Sequence, residues 1–221
     1  MIILTHSINN VSEMKRKHLT GLLEAIQKND FLAISDLMNA VEKNQFSREE
    51  VSKAIFSKSQ SALKIGITGP PGAGKSSLMN KLIPLLRNQG LSIGVIAVDP
   101  SSPISGGSFL GDRVRITNSL QDNQVFIRSM GSRAELGGVT ELAEDFSDIL
   151  AFSGKDIIFI ETVGVGQSEY GVYEIADLTL FVFVPESGDE IQLLKAGILE
   201  LADVFVVNKS DRKDRKSTRL N

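Results

Sequence analysis

Residues 64–76 read Lys64-Ile65-Gly66-Ile67-Thr68-Gly69-Pro70-Pro71-Gly72-Ala73-Gly74-Lys75-Ser76, a β-branched run that breaks into glycines and ends on a lysine and a hydroxyl. The second half is a complete GxxxxGK[ST] pattern in the context it requires, with a strand before it and a helical stretch after. Glycines let the backbone fold so that successive N–H groups point at a phosphate, and Lys75 adds a point charge toward the β and γ phosphates. Ser76 offers its hydroxyl to Mg²⁺. Gly69, Pro70, Pro71, Gly72, Ala73, Gly74, Lys75, Ser76 and the adjoining Ser77 are therefore the candidate nucleotide-binding residues, and the expected ligand is a nucleoside triphosphate with Mg²⁺.

Short apolar runs continue outward from this point: Ile93–Val98, Val125–Arg128, Ile157–Glu161, Leu178–Val184 and Val204–Asn208. Each is bounded by Gly, Pro or Asp. Continuous apolar runs suit strands covered on both faces, and their alternation with helical stretches predicts an α/β fold, a P-loop NTPase with a doubly wound, mostly parallel sheet. In such sheets ligands bind beyond the carboxyl ends of the strands, where every motif below falls. Ahead of the sheet, Leu19, Leu22, Leu23 and Ile26, then Ile34, Leu37, Met38 and Val41, recur at helical spacing from residue 13 onward. Two amphipathic helices broken near Asn29-Asp30 follow, with a third after Ser47, which stands at capping-box spacing from Glu50. The expected organisation is an N-terminal helical segment over 1–62, a P-loop GTPase domain over 63–213, incomplete at its C-terminus, and a non-native tail over 214–221.

Composition bounds what the chain does. At ~150 residues per domain, 221 residues make one domain plus an appendage. With 42% hydrophobic and 23% charged residues it can bury a core. The net charge of −3 and the lack of a basic block before the C-terminal end argue against a nucleic-acid surface. No cysteine is present, which excludes disulfides, thiolate metal sites and a Cys nucleophile. The longest apolar run, Leu178–Val184, is far short of the ~20 residues of a membrane helix, and the first dozen residues have no signal-peptide pattern. A soluble, cytoplasmic protein is expected, with no membrane or nucleic-acid partner.

Further motifs sit at other strand ends. Glu161-Thr162-Val163-Gly164 places a carboxylate where it can hold the metal and a glycine whose N–H can bond a γ-phosphate and lose that contact on hydrolysis. That makes Val165–Glu169 a switch candidate, with Gln167 a candidate for positioning water. Asp99 closes the second strand and Asp112 lies in Gly111-Asp112-Arg113-Val114-Arg115. Two acids near a triphosphate need a cation between them, so Ser76, Asp99, Asp112 and Glu161 form the candidate metal shell. Arg113 and Arg115 can bring charge to the transferring phosphoryl group, with a surface ion pair as the rival reading. Lys75, Glu161, Arg115 and Gln167 are the catalytic candidates. Asn208-Lys209-Ser210-Asp211 is an NKxD pattern: Asp211 can accept from both N1–H and N2–H₂ of guanine, and the stem of Lys209 packs on the base. GTP is favoured over ATP.

Together GPPGAGKSSL, VDPSSPISGGSFLGDRVRI, FIRSMGSRAELGG, IETVGVGQSE and NKSD, preceded by a helical hairpin, resemble the MeaB/ArgK family of GTPases, chaperones associated with methylmalonyl-CoA mutase. The resemblance covers roughly residues 15 to 211. It implies a slow GTPase that binds an adenosylcobalamin-dependent acyl-CoA mutase, such as methylmalonyl-CoA mutase, and gates loading, protection or reactivation of its cofactor. It also implies magnesium-region roles for Ser76, Asp99, Asp112 and Glu161, approach of Arg115 to the phosphates, a third switch over Pro185–Lys195, and a homodimeric parent.

The ending departs from the family pattern, whose members continue for about another hundred residues through the rest of the guanine pocket and a dimerisation arm. The last eight residues, DRKSTRLN, also read as the translation of a sequencing-library adapter. A truncated chain is expected, with weaker nucleotide binding and no dimer arm. Two rivals remain: a P-loop kinase, against which NKxD argues, and a nickel-type metallochaperone, for which His6 and His18 are the only histidines and no cysteine is available.

Overall fold

The computed structural model describes residues 2–56, 61–99, 122–131, 136–162, 168–185 and 202–210, with 2–11, 99, 131, 136–139 and 168–170 described by backbone alone. Three helices come first: α1 (Ile2–Ile26), α2 (Phe31–Glu42) and α3 (Arg48–Ile55). The first begins well before residue 13, because neither Gly nor Pro occurs between Ile2 and Thr20. It ends where the sequence reading places the break: Asn29 takes a left-handed φ of 60°, and the Asp30 carboxylate then accepts from the Leu32 and Ala33 N–H groups to start α2. Before α3, Ser47 and Glu50 form the reciprocal capping box, with Glu50 N donating to Ser47 Oγ at 3.2 Å and Ser47 N to Glu50 Oε2 at 2.7 Å.

The remaining elements alternate as β1 (Leu63–Thr68), α4 (Lys75–Asn88), β2 (Ile93–Asp99), β3 (Val125–Gly131), α5 (Leu136–Phe152), β4 (Ile157–Thr162), α6 (Ser168–Ile175), β5 (Leu178–Phe183) and β6 (Val204–Val207). All six runs expected to be strands are strands, within a few residues at their ends. They form one sheet in the order β3-β2-β4-β1-β5-β6, and each neighbouring pair is parallel. The order reverses direction around β1, so the chain between β1 and α4 emerges at the crevice such sheets use for ligands.

Alternation along the strands divides the core. Ile93 and Val95 of β2, Ile65 and Ile67 of β1, and Ile157 and Phe159 of β4 pack with Met79 and Ile83 of α4 on one face. Ile96, Val98, Ile158 and Ile160 point the other way, onto Phe146, Ile149 and Leu150 of α5. On that second face the core does not stop at α5: Ile34, Leu37, Met38 and Val41 of α2 and Val51 and Ile55 of α3 belong to the same buried cluster.

Polar groups fix how the helical segment sits. Arg48 bridges Glu141 (2.9 Å), Glu144 (3.0 Å) and Asp145 (2.9 Å) along α5. Arg128 of β3 reaches Glu42 (2.7 Å) and Asn39 (2.9 Å) of α2, its guanidinium lying over the Phe146 ring. At the base of the sheet Lys155, only 1% exposed, places its ammonium 4.9 Å from the Phe31 ring centroid and 3.3 Å from Asn29 Oδ1, while Asn29 Nδ2 donates to Asn123 O. Burial pushes the Lys155 ammonium down to about 8 and Arg87 adds repulsion, against the attraction of Asp122 and Asp156.

Because the folded value lies below the ordinary 10.5, the unfolded chain binds the extra proton between pH 8 and 10.5, and stability rises with pH across that window. Replacing Lys155 with Met is expected to raise stability at pH 7 by roughly 2 kcal/mol, allowing for solvent screening, and to remove that rise. Urea unfolding of both proteins from pH 7 to 10.5 checks it; parallel pH profiles would contradict the assignment.

Candidate functional site

The turn between β1 and α4 is shaped by contacts that admit no side chain. Gly69 has φ of 135° and lies so close to β5 that a Cβ there would sit 2.0 Å from the Val182 carbonyl oxygen. At Gly74, with φ of 95°, a Cβ would sit 2.2 Å from Asn208 Nδ2. Gly74 is the N-cap of α4 and brings no side-chain cap, so the first-turn N–H groups of the helix stay directed at the crevice.

A loop that turns its N–H groups inward must dispose of its carbonyls elsewhere. Lys75, 6% exposed, folds back and donates to Gly69 O and to Pro70 O (3.1 Å). Lys209 Nζ donates to Gly72 O at 2.6 Å, and Asn208 Nδ2 to Ala73 O at 2.8 Å. Asn208 is itself fixed by accepting from Lys209 N (2.9 Å) and by donating its own N–H to Phe183 O (2.8 Å). Thus the strand end after β6 clasps the loop after β1. Lys209 takes a left-handed φ of 56°, which swings the chain around to let it do so.

On the α4 side, Ser76 Oγ donates to Glu161 Oε1 at 2.7 Å. Glu161, 4% exposed, is carried there by β4, which pairs Ile67 with Glu161 one residue before β1 ends. Next to it, Thr162 Oγ1 stands 3.4 Å from Thr68 Oγ1, both buried. This hydroxyl pair has no counterpart in the sequence reading; its only signal is that β1 and β4 each end on a threonine.

The structure therefore brings together Gly69 through Ser77, Glu161, Asn208 and Lys209 at the carboxyl edge of the sheet. Asp99 ends β2 on that same edge, its side chain outside the described residues. Asp112, Arg113, Arg115, Gly164, Gln167 and Asp211 also lie outside them, as do the tail 214–221 and all of the third-switch stretch but Pro185. Of the two histidines, His18 is exposed, with its ring 5.7 Å from Phe46, and the His6 side chain is outside the described set. Among the described residues no three His, Cys, Asp or Glu side chains gather as a metal cluster, and no helix is long and apolar enough to cross a membrane.

Residues 33–221 match the family described as methylmalonyl Co-A mutase-associated GTPase MeaB. The chain belongs to that family. Among its relatives a GTPase-named protein of Pyrococcus horikoshii is 48% identical over 191 residues, covering 86% of this chain and 60% of the relative. GTPase ArgK of Escherichia coli is 36% identical over 197 residues, covering 87% and 60%. The mouse (Mus musculus) methylmalonic aciduria type A homolog, mitochondrial, is 34% identical over 215 residues, covering 91% and 52%. This MeaB-family chain thus spans about 60% of the length of the first two and about half of the third. A solved structure titled LAO/AO transport system kinase superposes with a TM-score of 0.65 at 28% identity, over 90% of this chain and 58% of that one. The family match runs through residues 214–221 as well.

If the Asn208 amide is what clasps the loop, Asn208→Ala leaves the buried Ala73 carbonyl without that donor and is expected to cost about 1–3 kcal/mol of stability. Chemical denaturation reads it directly. A loss below ~0.5 kcal/mol would mean the clasp rests on Lys209 alone.

Proposed function

We propose that this chain is the nucleotide-binding part of a GTPase chaperone that gates adenosylcobalamin loading, protection or reactivation of methylmalonyl-CoA mutase or a related acyl-CoA mutase. The observation that carries the reading is the clasp: the Asn-Lys pair of NKSD sits on the phosphate loop itself, so base selection and phosphate binding share one rigid unit. Membership of a family described as mutase-associated GTPases supports the client class.

In this reading the loop Gly69–Ser77 wraps the phosphates, with the backbone N–H groups from Gly72 onward directed at them, and Lys75 exchanges its loop carbonyls for phosphate oxygens. Ser76 and Glu161 present hard oxygens side by side, a donor set that fits Mg²⁺, and Asp99 and Asp112 complete its surroundings. The ion would neutralise charge developing on the phosphates. Arg115 adds charge to the transferring group, Gln167 orients water, the Gly164 N–H senses the γ-phosphate, and Asp211 selects guanine. The helical segment shares its core with α5 and the sheet, which supports a nucleotide-dependent change reaching a partner docked on it.

Calorimetry of GTP against ATP, each with Mg²⁺, tests the nucleotide half of the proposal. GTP is expected to bind at least ~10-fold more tightly, and Lys75→Ala to weaken it by roughly 10–100-fold, the worth of a charge-assisted bond. Equal binding of ATP would bring a kinase forward. Retention of an adenosylcobalamin-dependent mutase on the immobilised protein, dependent on GTP, tests the client half, and retention independent of nucleotide would overturn it.

A further inference from the structure

β1 and β4 run in register from Leu63↔Ile157 to Ile67↔Glu161, and that is where their ladder ends. One residue on, Thr68 still pairs with Phe181 of β5 and Thr162 with Val98 of β2. The two strands are therefore each held from outside but no longer to each other. Across this gap the Thr68 and Thr162 hydroxyls face one another at 3.4 Å, with the side chains 0% and 1% exposed. A buried hydroxyl is costly unless it is paired, and valine would fill the same volume without that cost. What the hydroxyls add over valine is a directional link.

The position of that link matters because of what lies beside it. Thr68 leads directly into Gly69 and the phosphate loop. Thr162 follows Glu161, whose carboxylate accepts from Ser76 at 2.7 Å. Ser76 belongs to the loop and helix that hang from β1, so the distance from its hydroxyl to the carboxylate depends on how the ends of β1 and β4 are held.

We propose that Thr162 is a positioning residue, whose hydroxyl ties the end of β4 to Thr68 and thereby keeps the Glu161 carboxylate on the Ser76 hydroxyl. The inference rests on the GTPase reading given above. At 3.4 Å the contact is longer than the ~2.7–2.8 Å of a relaxed O–H···O bond.

The test compares wild type, Thr162→Val, Thr162→Ser and Thr68→Val by calorimetric GDP binding with and without Mg²⁺, alongside thermal melting. Thr162→Val is expected to melt within a few degrees of wild type and to bind GDP without Mg²⁺ within ~2-fold, yet to lose ~5–10-fold of the gain in affinity that Mg²⁺ confers. Thr162→Ser keeps the hydroxyl and should keep that gain. Thr68→Val breaks the same link from the other side and should reproduce the loss; it also serves if Thr162→Val does not fold. In the double valine variant the losses should not add, because both changes remove one contact. A full Mg²⁺ gain in the valine variants, with wild type behaving as a Mg²⁺-dependent guanine-nucleotide binder, overturns the inference and leaves the GTPase reading standing. No guanine-nucleotide binding by wild type overturns the GTPase reading, and the inference falls with it.

Discussion

Everything at the carboxyl edge of the sheet follows from a problem of backbone polarity. A loop that directs its N–H groups toward one side turns its carbonyls to the other, and those carbonyls need donors. Here three side chains supply them: Lys75 to Gly69 and Pro70, Lys209 to Gly72, and Asn208 to Ala73. One donor comes from the loop's own helix and two from the end of a strand two places away in the sheet. The loop is thus shaped by the sheet order, since only with β5 and β6 on that side of β1 do Val182 and Asn208 come close enough to exclude a Cβ from Gly69 and Gly74.

The other side of β1 carries the acidic half of the site. β4 is buried along its whole length, so Glu161 enters the crevice from a rigid strand and meets Ser76 with little freedom on either side. The Ser76–Glu161 bond is thus held between the α4 N-terminus and a buried strand. This arrangement also concentrates buried polar side chains, Thr68, Lys75, Glu161 and Thr162, at one edge of the sheet. That is a cost in stability, offset by the two hydrophobic clusters on either face.

Farther from the crevice, the helical segment shares a buried core with the sheet. α2 contributes Ile34, Leu37 and Met38 to the cluster that holds Phe146 and Ile158, and Phe31 packs edge-on against Phe126 of β3 at 5.3 Å. Lys155 sits beneath this contact with its charge largely desolvated, an arrangement that keeps the turn at Asn29 seated while holding the lysine below its ordinary range. A displacement at the strand ends would therefore reach the helices through these packed side chains.

Period and punctuation were enough to read the elements. Runs such as Ile93–Val98 and Ile157–Glu161 declare buried parallel strands because both faces are apolar, and Asp30, Ser47 and Glu50 declare helix starts because their side chains bond within three residues. The glycine-rich turn after β1 was legible for the same reason: its pattern lies within a dozen consecutive residues. Partnerships across the fold were not. That Asn208 holds the loop carbonyl of Ala73, that Thr162 meets Thr68, and that Lys155 lies under Phe31 depend on strand order and register, which bring together residues 135, 94 and 124 positions apart. Sequence alone named the candidate residues for a phosphate and a metal; the tertiary structure decided which of the described ones hold one another in place, because a hydrogen bond or a close contact is fixed by distance in space, and only the packed sheet sets that distance.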